Sequence, residues 1–436
     1  MFAAASATSA VQFQFRGGGR PLSTTIPRKK HNHSLVSSRL KLPDSLPCIL
    51  RYPDELYSMV RLKLALTVSE KQIPAEPPHW RFCYSTLYKM DGSHLIIQQI
   101  DEDVRDARTS ITFWSFNNSQ FCIYALVLRA LDTIEDDSTI ATEVKVPILQ
   151  TFHRRIRDGN FHFSNGAKYY KALMENFHHV TTAFLELDCR FQEVIEDITM
   201  KMGAGMAKFI CKEINTIDDY DEYCHYPVGL CMIGASKMYS VSRGKSLASE
   251  DLSNAMGLFF QKVDTIKDYP DDINMMPNPR MLWPRQIWGK YVDKLEDLKN
   301  EDNSAKALLC LNEMVTNALT HVEDSLKYLS TLPDPAIFRG IAIFKVIEFG
   351  TLALCYNNIE VFRSGVGLRP GLAAKIFYNT SSMSDVYEAV HDFSFILESK
   401  ISDNNPNDKV TRSLIDTIKK CCRSSLTSNQ RKSYII

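Results

Sequence analysis

The sequence predicts an all-α protein, and three observations predict it. From Asp44 onward, strand-like alternation is rare and glycine is sparse at 18 of 436 residues. Apolar residues recur instead at the spacing of one helix face. The chain is 44% hydrophobic, enough to bury a large core. Turn-forming breaks separate the helical stretches near 74–78, 157–160, 274–279, 332–335 and 404–406. One helical domain is therefore expected over residues 44–400. No internal repeat is visible beyond a loose symmetry between two acidic clusters described below.

Residues 1–43 differ. They hold no Asp or Glu, but carry Arg16, Arg20, Arg28, Lys29, Lys30, Arg39 and Lys41 among many Ser, Thr and Ala. That composition resembles a plastid transit peptide. A secretory signal is excluded because it lacks an apolar run, and a plain disordered tail is the other reading. The expected location is accordingly the plastid stroma, soluble, with the cytosol second. Lys plus Arg equals Asp plus Glu at 51 each, which points away from nucleic acid as a partner. No window approaches 18 continuous apolar residues, so no transmembrane anchor is expected. Residues 401–436 read as a polar tail with a short helix near Leu414 to Cys421. The 11 cysteines show no metal-ligand spacing and read as free thiols in a reducing compartment.

The central stretch is Ile123 to Ile134, running into Glu135, Asp136 and Asp137. Ile123, Leu126, Val127, Ala130, Leu131 and Ile134 form an apolar stripe. Asp132, Glu135 and Asp136 stand at i, i+3 and i+4, so their carboxylates share the opposite face. Ala125 and Leu128 precede them there, as in the wall of a pocket with acids at its mouth. Asp268, Asp271 and Asp272 repeat the spacing, with Lys267 beside them and Gln261 two turns earlier. Two such triads on facing helices would repel strongly without cations between them. An all-oxygen ligand set of this kind suits Mg²⁺, which also bridges substrate phosphates. A charged, solvated helix face is the bland alternative for either triad.

Leu128 to Asp137, Tyr223 to Tyr226, Gln261-Lys262, Asp268 to Asp272, Trp283-Pro284 and Leu354 to Asn358, taken in order, resemble squalene synthase of the plant type. The resemblance runs from about Leu46 to Ile436. It implies an isoprenoid (terpenoid) synthase fold with a central cavity, in which farnesyl diphosphate is ionised, a second farnesyl group attacks and NADPH reduces the rearranged cation to squalene; for this chain a monomer and a prenyl diphosphate substrate, farnesyl or geranylgeranyl, are expected. It further implies Mg²⁺ held by Asp132, Glu135 and Asp136 and by Asp268, Asp271 and Asp272. Arg129, Lys267 and Arg280 would then contact diphosphate, with Gln261 also on the substrate. Tyr223 would act in the first half-reaction, and Arg369 would meet the phosphate of NADPH.

The departures fall where the chemistry should be. The family's Ser-Arg-Ser-Phe is Asp91, Gly92, Ser93 and His94, which removes an arginine fork and a ring. A family Tyr is Ala125, with Tyr124 beside it as a partial substitute. The family's Val-Ala-Gly-Leu-Val-Gly is Pro227 to Met232, with Ala235 beyond in place of the usual Leu. A Phe-Cys-Ala-Ile-Pro-Gln run is Gly340 to Lys345, and a Lys before Arg369 is Gly367. The family usually has Glu at Asp271 and Arg at Lys267. Pro270 replaces a Leu, and it either kinks the second helix or sits where the helix is already irregular.

With both triads acidic and the NADPH contacts reduced, use of NADPH is doubtful. The leading expectation is Mg²⁺-dependent ionisation of a prenyl diphosphate with cyclisation or coupling without reduction. The alternatives are an ordinary NADPH-dependent squalene synthase and a silent paralogue that only binds. His94 is either a core histidine or a base, and His225 is structural. Lys345 and Glu348 are expected as a surface ion pair, unless they face the cavity.

Overall fold

The structure is a computed structural model. It describes residues 52, 54, 55, 57–59, 61, 77–94, 119–164, 166, 168–276, 279–402, 405 and 407–425, without the side chains of 88, 91–94, 168, 169 and 425. The expected leader, and the final residues of the tail, lie outside the described residues. Among the described residues every regular element is helical.

The helices in order are α1 (Pro78–His94), α2 (Ser119–Asp136), α3 (Thr142–Arg155), α4 (Lys168–Glu175), α5 (His178–Leu185), α6 (Cys189–Cys211) and α7 (Ile217–Cys224). After a π turn (His225–Gly229) come α8 (Leu230–Arg243), α9 (Glu250–Lys267), α10 (Tyr269–Asn274), α11 (Arg285–Trp288), α12 (Ser304–Leu319) and α13 (Val322–Thr331). Then follow α14 (Pro335–Cys355), α15 (Pro370–Asn379), α16 (Met383–Ser399) and α17 (Asp408–Ser425).

Two helices form the centre. In α2 every residue from Phe121 to Ile134 except Arg129 is buried, so burial extends well beyond the expected apolar stripe to nearly the whole circumference. A helix of that kind belongs inside a bundle, and α1, α3, α4, α5, α6 and α8 surround it. The second pillar, α9, is packed by α7, the π turn, α8, α12, α13 and α14. Ser249 caps α9 through its hydroxyl, which accepts from the Leu252 N–H. Asp334 caps α14 with a carboxylate oxygen that accepts from the Ala336 and Ile337 N–H groups, and Pro335 lies in the first turn, where its missing N–H costs nothing.

Close backbone contacts fix how the pillars sit. A Cβ at Gly203 on α6 would stand 2.2 Å from the Leu149 carbonyl oxygen on α3. A Cβ at Gly257 on α9 would stand 2.6 Å from the Cα and N of Gly229 and from the Val228 carbonyl. The π turn therefore lies directly on α9. Pro227 within that turn lacks the N–H that an α-turn uses, and the helix widens there. Tyr223 lies at the end of α7 just before the turn and Gln261 one turn beyond Gly257 on α9, and both line one cleft with Pro227.

The helix expected near Leu414 to Cys421 is longer, covering Asp408–Ser425. It docks on α12 and α16, with Tyr356 donating to Asp408 at 2.8 Å and Lys419 paired with Glu398 at 2.7 Å. No described helix is long and apolar enough to cross a membrane.

Gly257→Ala is expected to destabilise the fold by roughly 1–3 kcal/mol, because backbone on the π turn must move to admit a methyl group. Gly340→Ala meets no described atom within 4 Å and removes a helix-interior glycine, so it is expected to be neutral or stabilising. Urea denaturation of both variants checks the contrast.

Candidate functional site

The end of α2 and the junction of α9 with α10 face each other across a narrow cleft with room for little more than a single water molecule, about 10 Å³. Asp132, Glu135, Tyr223, Gln261, Asp272 and Arg280 are among its lining residues. One carboxylate oxygen each of Asp132, Glu135 and Asp136 lies within 4.8 Å of the others. The spacing read from the sequence thus produces a real convergence at the first triad.

The second triad is built differently from the expected continuous helix. α9 stops at Lys267, and Asp268 closes it and opens α10 with φ −94° and ψ 8°. Pro270 lies in the first turn of the new helix, where no intrahelical N–H is needed. Of the two readings of Pro270, the structure supports the tolerated one. The N–H groups of Asp271 and Asp272 both donate to the Asp268 carbonyl at 3.0 Å. Asp268 and Asp272 are buried, whereas Asp271 is half-buried. Lys267 holds Asp264 and Asp268 at 2.8 Å each, so Lys267 and Asp268 are engaged with one another.

Arginines occupy the first triad. Arg129 binds Asp132 at 2.5 Å, and its guanidinium stands 5.8 Å from the ring centroid of Tyr170. Arg280 reaches Asp136 with Nη1, while Nη2 donates to both Glu135 oxygens at 3.0 and 3.1 Å and to the Tyr223 hydroxyl at 3.2 Å. Its backbone N–H donates to the Asp272 carbonyl at 2.9 Å, so one residue ties the two acidic turns together. Burial pushes the carboxyls of Asp132 and Asp136 upward, more strongly at Asp136, where the Asp132 charge adds to it. Burial, opposed by Arg280, pushes Asp272 up to about 7. Tyr223 is likewise raised by burial and keeps its proton.

Two buried oxygens in the cleft, Asp272 Oδ1 and Gln261 Oε1, have no hydrogen-bond partner. Unpaired carbonyl and carboxylate oxygens beside a carboxylate triad are the donor set of a hard divalent cation. The residues therefore fit Mg²⁺.

Two groups at the site escaped the sequence reading. Lys145 on α3 is buried and donates to the Glu135 carbonyl at 2.8 Å, capping the last turn of α2. Nothing in its spacing announces this. Asp264 was legible, since it lies three residues after Gln261 and four before Asp268.

Other expectations are corrected. Tyr124 does not replace the ring absent at Ala125. It is buried between α2 and α8, with its hydroxyl donating to the Cys231 carbonyl at 2.8 Å. Lys345 and Glu348 form no surface ion pair. Both are buried in α14, which is enclosed on nearly every side. Lys345 Nζ lies 3.0 Å from the ring centroid of Phe259 and has no hydrogen-bond partner, and Glu348 Oε2 has none either. Burial pushes the Lys345 pKa well down and raises Glu348 to about 7. Arg369 lies outside the cleft lining, paired with Glu55 at 2.7 Å and stacked on Tyr52 at 4.3 Å. His225 meets Asn254 at 2.7 Å, a structural contact as expected. The side chains of Asp91, Gly92, Ser93 and His94 lie outside the described residues.

Comparison with known proteins gives one answer. The squalene/phytoene synthase family model matches residues 117–370. Squalene synthase 2 of Panax ginseng is 58% identical over 394 residues, spanning 90% of this chain and 92% of that relative. The squalene synthase of Solanum lycopersicum is 57% identical over 393 residues, with the same shares of 90% and 92%. Among solved structures, the complex of TcSQS with the ligand BPH1237 superposes with a TM-score of 0.72 at 34% identity. It covers 80% of this chain and 100% of that one.

Lys345→Met is expected to raise stability at neutral pH by roughly 1–3 kcal/mol, since it replaces an unpaired buried amine by an apolar group of similar length. Below the ordinary lysine value of 10.5 the unfolded side chain is protonated, while the folded amine loses its proton far lower. Unfolding of the wild type in that window takes up a proton, so its stability rises with pH and the advantage of Met shrinks. Thermal melts of both proteins between pH 7 and about 10 check the trend.

Proposed function

The chain belongs to the squalene/phytoene synthase family, and on that premise we propose that it ionises a prenyl diphosphate, farnesyl or geranylgeranyl, with Mg²⁺ and quenches the allylic cation without hydride transfer. The observation that carries this reading is the facing pair of acidic turns with unpaired oxygens between them. Asp132, Glu135 and Asp136 on one side and Asp268, Asp271 and Asp272 on the other would hold the metal. When bound, Mg²⁺ neutralises the charge that develops on the departing diphosphate. Arg129, Lys267 and Arg280 stand among these acids and would grip the same oxygens as a fork or a point charge. Gln261 would orient the bound diphosphate. Tyr223, still protonated, presents its hydroxyl at the cleft next to Arg280.

A non-reductive outcome, by cyclisation of one chain or coupling of two, is supported by changes away from the acids. Gly340 leaves a buried position with no described atom within 4 Å of where a Cβ would stand. Lys345 and Glu348 place two polar groups further along that helix. Arg369 is already held by Glu55 and Tyr52, which competes with a phosphate of NADPH. The acid-free leader supports a plastid location. A second reading, NADPH-dependent squalene formation, is favoured by 57–58% identity to proteins called squalene synthases.

The test is incubation of the full chain with Mg²⁺ and geranyl, farnesyl or geranylgeranyl diphosphate, with and without NADPH, and mass spectrometry of the extracts. A hydrocarbon or alcohol formed without NADPH is expected, and Asp132→Asn is expected to lower turnover at least about 100-fold. Squalene formed only with NADPH establishes the second reading, and no diphosphate release from any substrate contradicts both.

A further inference from the structure

We infer that Arg280 is a resident counter-cation, which holds Glu135 and Asp136 until a divalent metal displaces it and which is thereby freed to turn to the diphosphate. The inference rests on the proposed metal and diphosphate chemistry, and adds a competition that this chemistry does not require.

The geometry carries it. Arg280 is bound to the same oxygens that a metal would use. Nη2 spans both oxygens of Glu135, and Nη1 takes Asp136. A guanidinium fork satisfies such oxygens with several donors at once, whereas Mg²⁺ needs their lone pairs at about 2.1 Å. Both cannot hold those oxygens together, and their like charges repel. Among the described residues, Arg280 is the cation paired with the Glu135 and Asp136 carboxylates. Lys145 approaches but donates to the Glu135 backbone carbonyl.

The residue is also built to move without unfolding its surroundings. Its backbone N–H is fixed on the Asp272 carbonyl, so the guanidinium swings on its own side-chain torsions from the second acidic turn. The side chain is 15% exposed, on the cleft. Its remaining partner there, the Tyr223 hydroxyl, is neutral and is easily exchanged for an anionic oxygen. Next to it Asp272 Oδ1 waits without a donor. Asp272 would offer this oxygen to a metal held between the turns once the arginine had withdrawn.

The consequence has an unusual sign. Removing a cation that would grip diphosphate should tighten Mg²⁺ binding to the free enzyme, because the competitor is gone. An occupied site lowers apparent affinity by the fraction of molecules in which it is free, so about tenfold is the scale expected.

Titration calorimetry with Mg²⁺ alone, on the full chain, tests this with wild type, Arg280→Gln and Arg280→Lys. Arg280→Gln is expected to bind Mg²⁺ about tenfold more tightly than wild type. Arg280→Lys, a point charge that cannot span Glu135 and Asp136, should fall between them. Added inorganic pyrophosphate should improve Mg²⁺ affinity more in wild type than in Arg280→Gln, since only wild type has an arginine to draw away. Circular dichroism checks folding. If Arg280→Gln folds only with Mg²⁺ present, the carboxylates depend on one cation or the other, which supports the inference, and Arg280→Lys supplies the affinity. Equal or weaker Mg²⁺ binding by the folded variants overturns the inference and leaves the proposed function standing. Absence of Mg²⁺ binding to all three overturns both.

Discussion

Carboxylates crowded into an apolar interior govern this molecule. At 4.8 Å and an effective dielectric near 20, two like charges repel by about 3 kcal/mol. That exceeds the net worth of an ordinary hydrogen bond, about 1 kcal/mol. Asp132, Glu135, Asp136, Asp264, Asp268 and Asp272 cannot stay together without positive charge among them. Arg129 on α2, Lys145 on α3, Lys267 at the end of α9 and Arg280 in the loop after α10 supply it. The bundle is the frame that keeps these opposed charges at short range.

That requirement accounts for the two pillars. α2 and α9 are buried nearly all round, so each is fixed by packing over its whole length. Their acidic ends can then face one another without being pulled apart. The glycine contacts at Gly203 and Gly257 remove the side chains that would otherwise hold the backbones away. The π turn, with Pro227 inside, brings Tyr223 and Gln261 to one cleft.

The fold class and both acidic turns were legible because they are local. Spacing at i, i+3 and i+4 directly sets which carboxylates share a helix face, and the family motifs fall on those turns. What was not legible depends on long-range packing. The pairing of Arg280 with Glu135 spans 145 positions, and Lys145 reaches α2 only because α3 folds back. Lys345 looked like half of a surface pair because an i, i+3 spacing says nothing of exposure, and α14 proved to have no outer face. Tyr124 was misread for a related reason. A ring one residue from the lost position points about 100° away around the helix, into the contact with α8. The break at Asp268 was only half legible, since a proline marks a helix start and a helix kink equally well.

The departures from the family pattern fit one physical theme. The acids that would hold the leaving group remain, while groups along α14 and near Arg369 have changed character. In the proposed reaction the former would bear on ionisation and the latter on what the cation meets next. The central claim is that both acidic turns clasp one metal-bound diphosphate. A crystal structure with Mn²⁺ and inorganic pyrophosphate, using manganese anomalous scattering, tests it most directly. The account predicts manganese between Asp132, Glu135 and Asp136 on one side and Asp268 and Asp272 on the other, with pyrophosphate bridging them and Arg280 turned onto it. Manganese at neither turn, or pyrophosphate bound elsewhere on the bundle, would contradict it.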